Sequence, residues 1–332
     1  MRLIYQHKHV FPNKQLRAIC NFVKSELYAD RTGNFNVTDI YYDPLPNPNT
    51  SMTIEDCVME SAQNIWAKHK SVTCMWSGGI DSSAVLIGLL EQKPKDAELK
   101  VYYTPSSIEE FPVMYEKLVK DKWDMPDIIE YDTLVTGECG DQLFGSETMH
   151  RLHHDMTKPW EHVFTYDSKT FYGKNTPDSM FWEEQKPILM DVADTLADSY
   201  PGDMITLKDF LWWANFTQKW NAVQVRAMYY YKVLELNHPS KVVSFFNTPS
   251  FQQWSMSNQD KTLSGEWKTY KQPLKDFIHK YCPDETYRNE KLKVPSLVNL
   301  FNNNWNVFDN STIIEAFDDG SVRYYDSKSD DL

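Results

Sequence analysis

The stretch from Ser71 to Leu90 constrains this chain more than any other. Ser71 to Trp76 (SVTCMW) is a short run of strand formers, and Ala84 to Leu90 (AVLIGLL) has the length and composition of a helix. Between them lies Ser77-Gly78-Gly79-Ile80-Asp81-Ser82-Ser83. A strand, a glycine-bearing turn and a helix start make one half of a βαβ unit. Lys100 to Tyr103 reads as the next strand and Ile108 to Lys120 as the next helix. Asp127 to Glu130 and Thr133 to Thr136 read as further short strands. This alternation predicts an α/β fold, a parallel sheet with flanking helices that binds ligands at the carboxyl ends of its strands. From Phe181 to Leu236, and again from Gly265 to Tyr281, the pattern is long, aromatic and helical.

The loop itself has the chemistry of an anion site. Two glycines let the backbone turn tightly and bring N–H groups against an anion. The helix that follows aims its N-terminus, with partial positive charge, at the same place. Ser77, Ser82 and Ser83 add hydroxyl donors, and Asp81 suits a Mg²⁺ that bridges phosphates. The plainer alternative is a helix N-cap, for which Asp and Ser are preferred residues. Neither a Walker A loop nor a GxGxxG fingerprint occurs here. The segment resembles the SGGxDS motif of the PP-loop ATP pyrophosphatase superfamily. That resemblance implies ATP cleaved between its α- and β-phosphates, with Ser77, Gly78, Gly79, Asp81, Ser82 and Ser83 binding nucleotide.

Two further segments narrow the resemblance. Leu134-Val-Thr-Gly-Glu-Cys-Gly-Asp-Gln-Leu-Phe-Gly145 is similar to the LSGEGSDELFGG element of the asparagine synthetase family, with Cys139 and Gln142 as departures. Lys271-Gln-Pro-Leu-Lys275, Pro283, Arg288 and Lys291 follow the family's K-x-x-L-R, L-P and R-x-K elements more loosely, and Arg226 to Met256 runs like the helix leading to its PFLD element and the helix after it. The resemblance implies ATP and Mg²⁺ as cofactors, Asp81 and Asp141 as metal ligands, Glu138 as base for the incoming amine, and Lys271 beside the α-phosphate and the leaving pyrophosphate. It also implies Gly137 as a point of close approach to the nucleotide. A lysine on an amphipathic helix is more often a solvated face, which is the alternative for Lys271. A solvated loop pair is the alternative for Glu138 and Asp141.

The departures limit the expected reaction. Position 2 is Arg2, and only 70 residues precede the motif strand, too few for the family's glutaminase domain. Ammonia, another amine or an ammonia-supplying partner protein must then serve as donor. Between Asp81 and Glu138 lie 56 residues, fewer than the family usually has. Where PFLD carries an acid this chain has Asn247, which argues against aspartate as substrate. The expected activity is that of an AMP-forming ligase that adenylates a small-molecule or peptide carboxylate and transfers it to nitrogen. Two other readings stay open. One is a PP-loop enzyme adenylating a nucleobase or tRNA; the other is a nucleotide-binding or scaffolding protein that has lost its chemistry, as the trimmed insert, Asn247 and Gln142 suggest.

Composition sets the frame around this reading. The 332 residues predict about two domains, and 14% aromatic residues exclude a wholly disordered chain. The expected organisation is an N-terminal region 1–70, an ATP-binding α/β core 71–165, a helical part 166–317 completing the site, and an acidic tail 318–332 that frays. A formal charge of −13 argues against a nucleic-acid partner. No apolar run is long enough to span a bilayer, and residues 1–12 lack an apolar leader core. Five cysteines without a CxxC pair argue against a disulfide framework or structural zinc, and a cytoplasmic location follows. His150 and His154 share a helical face and could pair on a metal, though no matching acid or cysteine accompanies them. Trp212-Trp213 and Tyr229-Tyr230-Tyr231 fit a core better than a stacking site.

Overall fold

A computed structural model describes residues 2–6, 14–25, 30–35, 45–48, 51–123, 133–145, 148–172, 182–224, 242–263, 266–292, 312–317 and 322–326. The strands among them are β1 (Arg2–Gln6), β2 (Ser71–Met75), β3 (Glu98–Tyr102), β4 (Leu134–Thr136), β5 (Val242–Ser244), β6 (Thr312–Phe317) and β7 (Val322–Asp326). The expected strand at 127–130 and helical residues 225–241, with Tyr229 to Tyr231, lie outside the described residues.

The chain divides into two compact units, each made of separated segments. One comprises 46–144 and 227–305; the other comprises 1–45, 145–226 and 306–332. The first is the α/β unit. Its four strands are all parallel, in the order β3-β2-β4-β5. The helix Ile54–Lys68 starts at a reciprocal cap: Thr53 Oγ1 accepts from the Asp56 N–H at 3.1 Å, and Asp56 accepts from the Thr53 N–H at 2.8 Å. The helix Ile80–Glu91 follows β2 and packs between Ile54–Lys68 and Gln272–Tyr281. Ala84, Val85, Leu86, Ile87 and Leu89 are all buried, so this helix is apolar nearly all round, as a helix enclosed by its neighbours must be.

Residues 108–120 form no single helix. Pro105–Glu110, Pro112–Met114 and a π-helical turn Tyr115–Val119 follow one another. Pro112 cannot donate its missing N–H and disfavours helical backbone at Phe111, which sits at φ −143°. Likewise, among the described residues 266–281, only Gln272–Tyr281 is α-helical, after a 3₁₀ turn at Trp267–Thr269.

The second unit contains the helices Lys14–Phe22, Trp182–Asp198 and Leu207–Gln218 around an aromatic core. Phe171 stacks on Phe22 at 5.2 Å and on Trp182 at 4.7 Å. Trp212 and Trp213 are buried in this core, as their helical spacing suggests. The buried Arg31 guanidinium lies 5.0 Å from both the Phe216 and Trp220 rings, and its Nη1 donates to the Phe216 carbonyl at 3.3 Å. The same unit holds an antiparallel sheet, β1-β6-β7, that sequence patterning did not reveal. Arg2 stands opposite Phe317, and Thr312 opposite Asp326. Part of the expected fraying tail is thus the strand β7, whose Val-Arg-Tyr-Tyr composition outweighs the acidity around it.

Candidate active site

In the parallel sheet the chain leaves β2, adds β3 on one side, and then crosses over to add β4 on the other. Winding reverses between β2 and β4, and at such a switch point a crevice opens beyond the carboxyl ends of the strands. Both sequence motifs lie there. Residues 77–83 follow β2 directly, and 137–141 follow β4.

The first loop turns at Gly78, whose φ of +79° is left-handed. A Cβ at this position would meet the Ser107 carbonyl oxygen and Glu110 Cβ at 2.4 and 2.8 Å, so only glycine fits. Gly79 then caps the helix Ile80–Glu91 without a side-chain acceptor. Serine hydroxyls line the loop interior. The Ser77 N–H donates to Ser82 Oγ at 3.1 Å, and the Gly79 N–H donates to Ser77 Oγ at 3.3 Å. Ser77 Oγ and Ser82 Oγ are 3.0 Å apart. Ser83 differs. It is fully buried and accepts from Trp76 Nε1 at 3.1 Å, so its hydroxyl works inside the fold and away from the open loop.

The second loop presses onto the first at Asp81. A Cβ on Gly137 would stand 3.0 Å from Asp81 Cβ, and one on Gly140 would stand 2.6 Å from Asp81 Cγ. Cys139, between them, is buried with φ +71°. Such backbone costs a non-glycine residue about 1–2 kcal/mol. Lys271 has φ +59° at the start of Gln272–Tyr281. Among the described residues, three non-glycine positions have positive φ, and two of them, Cys139 and Lys271, meet here. Strain of this kind persists where surrounding contacts enforce it, and it gathers at functional sites.

Lys271 joins the two motifs. Its ammonium pairs with Asp81 Oδ2 and, at 2.7 Å, with Asp141 Oδ1. The lysine side chain is 1% exposed, against 24% and 31% for the two aspartates. Burial works against its charge, but Asp141 and Asp81 together outweigh burial and hold its pKa above that of an ordinary lysine. The Tyr270 hydroxyl stands 3.4 Å from Asp141 Oδ1, its ring stacked on Trp267 at 4.4 Å. Glu138 is half-buried on the second loop, with its N–H 3.4 Å from Thr136 Oγ1; it lies outside the two ion pairs of Lys271.

This donor set suits Mg²⁺ better than a structural metal. Among the described residues no three His, Cys, Asp or Glu side chains gather as a metal cage. Two carboxylates converging on one cation are what Mg²⁺ needs when phosphate oxygens complete its shell. His150 and His154 form no such group either. The His153 ring lies 3.7 Å from that of His154, and its Nδ1 donates to the His150 carbonyl at 2.6 Å. All five cysteines are buried.

Of the third segment, Lys271 alone pairs with Asp81 and Asp141; its other cations pair elsewhere. Lys275 is buried and donates to the carbonyls of Lys268 and, at 3.0 Å, Lys291; burial lowers its pKa to about 8. Arg288 pairs with Asp276 at 2.7 Å and Lys291 with Glu110 at 2.9 Å. Arg288 and Lys291 are separated by two residues, one more than R-x-K. Asn247 is exposed beyond β5, one strand away from the switch point, and Gln142 is buried. Sequence reasoning missed Tyr270 and Tyr287. The first had a signal, its place next to Lys271; the second had none nearby. No helix among the described residues is long and apolar enough to cross a membrane. Compared with models of known protein families, with curated proteins and with solved structures, the chain matches none.

Proposed function

We propose that this chain is an ATP- and Mg²⁺-dependent synthetase of the PP-loop type, which adenylates a carboxylate, releases pyrophosphate and transfers the acyl group to ammonia or an amine. One observation carries the reading: Asp81, Asp141 and Lys271, from three distant parts of the chain, converge at the switch point of a parallel sheet beside a glycine-serine loop.

The chain's own groups fit the steps. The N–H groups and the Ser77 and Ser82 hydroxyls of the loop would bind phosphate oxygens, with the helix Ile80–Glu91 adding its N-terminal field. Asp81 and Asp141 would hold Mg²⁺, which when bound neutralises pyrophosphate charge and orients it for departure. A carboxylate oxygen of the substrate attacks the α-phosphorus, and the bond to pyrophosphate breaks. Lys271 would offset the negative charge that builds up there. The amine nitrogen then attacks the acyl carbon, the bond to AMP breaks, and Glu138 takes the surplus proton.

The test is pyrophosphate release from Mg-ATP, screened over amino acids, small carboxylates and peptides, with and without ammonium. Release that depends on one acid and is lost in Asp81→Asn is the expected result. ATP binding with no release across the panel would instead favour a nucleotide-binding protein without this chemistry. Wild-type turnover in Asp81→Asn would remove Asp81 from the site.

A further inference from the structure

Tyr287 lies in the short helix Glu285–Glu290, more than 200 residues beyond the glycine-serine loop, yet its hydroxyl donates to the Gly78 carbonyl at 3.1 Å. The tyrosine is buried, and its ring stacks on Phe111 with centroids 3.6 Å apart and planes 11° apart. The Lys291–Glu110 ion pair spans the same two segments, with both side chains under 15% exposed. Ser83 lies beside the Tyr287 phenol, and its Oγ accepts from Trp76 Nε1.

Pinning that carbonyl has a geometric consequence. In a trans peptide the carbonyl of Gly78 and the N–H of Gly79 point in opposite directions within one plane. With the oxygen turned to Tyr287, the N–H is aimed into the loop, where Ser77 Oγ accepts it at 3.3 Å. Because glycines flank this plane on both sides, little else in the local backbone opposes a flip. A flipped plane would aim an oxygen at the anion in place of a donor.

We infer that Tyr287 is a positioning residue that fixes the Gly78–Gly79 peptide with its N–H toward the bound phosphates. The inference rests on the nucleotide reading given above. Tyr287 touches no substrate in this scheme and acts only through Gly78.

The test compares Mg-ATP affinity, by calorimetry, of wild type, Tyr287→Phe and Ser83→Ala, alongside thermal unfolding of each. Tyr287→Phe is expected to bind Mg-ATP about tenfold more weakly, the effect of one hydrogen bond lost with its acceptor left buried. Ser83→Ala should shift affinity in the same direction by less, and the double variant should fall short of the product of the two. A residue that only supports the fold would lower the unfolding temperature and leave the affinity of the folded protein unchanged. Affinities within twofold of wild type in both variants would therefore overturn the inference while leaving the nucleotide reading intact. Should Tyr287→Phe fail to fold, Ser83→Ala alone decides. No binding of Mg-ATP by the wild-type chain would overturn both.

Discussion

Lys271→Met isolates the central cluster, because methionine keeps the apolar length of the side chain and removes its charge. In the native chain one ammonium with 1% exposure serves two carboxylates that are about a quarter to a third exposed. Removing one partner of a buried pair costs about 3–5 kcal/mol, because the remaining charge is stranded. Water reaches these aspartates, so the lower end, about 3 kcal/mol, is expected. For a unit of this size that corresponds to roughly 6–12 °C in unfolding temperature. The two aspartates, now facing each other without a cation, become a divalent-metal site. Adding MgCl₂ at ten times its dissociation constant should return about 1.4 kcal/mol to the variant. Wild type should gain little in the absence of nucleotide, since Lys271 already fills that role. Thermal unfolding by circular dichroism in EDTA, in MgCl₂ and in NaCl of equal ionic strength would report both effects. A loss below about 1 kcal/mol, or equal responses of the two proteins to Mg²⁺, would refute the reasoning.

Three smaller tests address the surrounding backbone and charges. At position 139 the left-handed backbone should invert the usual order: Cys139→Gly should be at least as stable as Cys139→Ala, and an alanine variant more stable by about 1 kcal/mol would refute this in chemical denaturation. Gly140→Ala puts a methyl 2.6 Å from Asp81 Cγ and should reduce pyrophosphate release by about a hundredfold with only a modest loss of stability; full activity would mean the Asp81 position does not matter. Lys275 predicts a pH effect of defined sign. Below about pH 8 it carries its charge in both states, and the cost of burying that charge is fully present. Between about 8 and its unfolded value near about 10.4 only the unfolded chain holds the proton, so stability should rise, by at most about 1.4 kcal/mol per pH unit. Lys271, shifted the other way, keeps its contribution below about 10.4 and loses it as pH rises through its higher folded value. Denaturation of wild type and Lys275→Met across this range should show the rise only in wild type.

What could be read in the sequence was local. The strand–loop–helix at 71–91 and the strand expected at 133–136 carry their signals within a few residues, and the structure has both, the second over Leu134–Thr136. Pro112 stands inside the expected helix 108–120, and that expectation does not include the break it causes at Phe111. Other features depend on partners far along the chain. Ser83 sits in a loop rich in hydroxyls, and only the packing of Trp76 and Tyr287 turns it inward. The left-handed Cys139 and Lys271 follow from how tightly two loops and a helix start must meet around Asp81, which no residue type announces. The sheet of β1, β6 and β7 has no local signature because its register joins residues 2–6 to residues 313–317.

That last pairing bears on how the chain is made. β1 is synthesised about 300 residues before its described partner strand, β6. At about 5–20 residues per second, the residues between them take roughly 15–60 s to appear. For that interval the backbone donors and acceptors of β1 are an open strand edge, the kind of surface that pairs with other chains. Segments 46–144 and 227–305, by contrast, are both available before β6 exists. The α/β unit can therefore close while the ribosome is still at work, whereas the unit containing β1 must wait for β6.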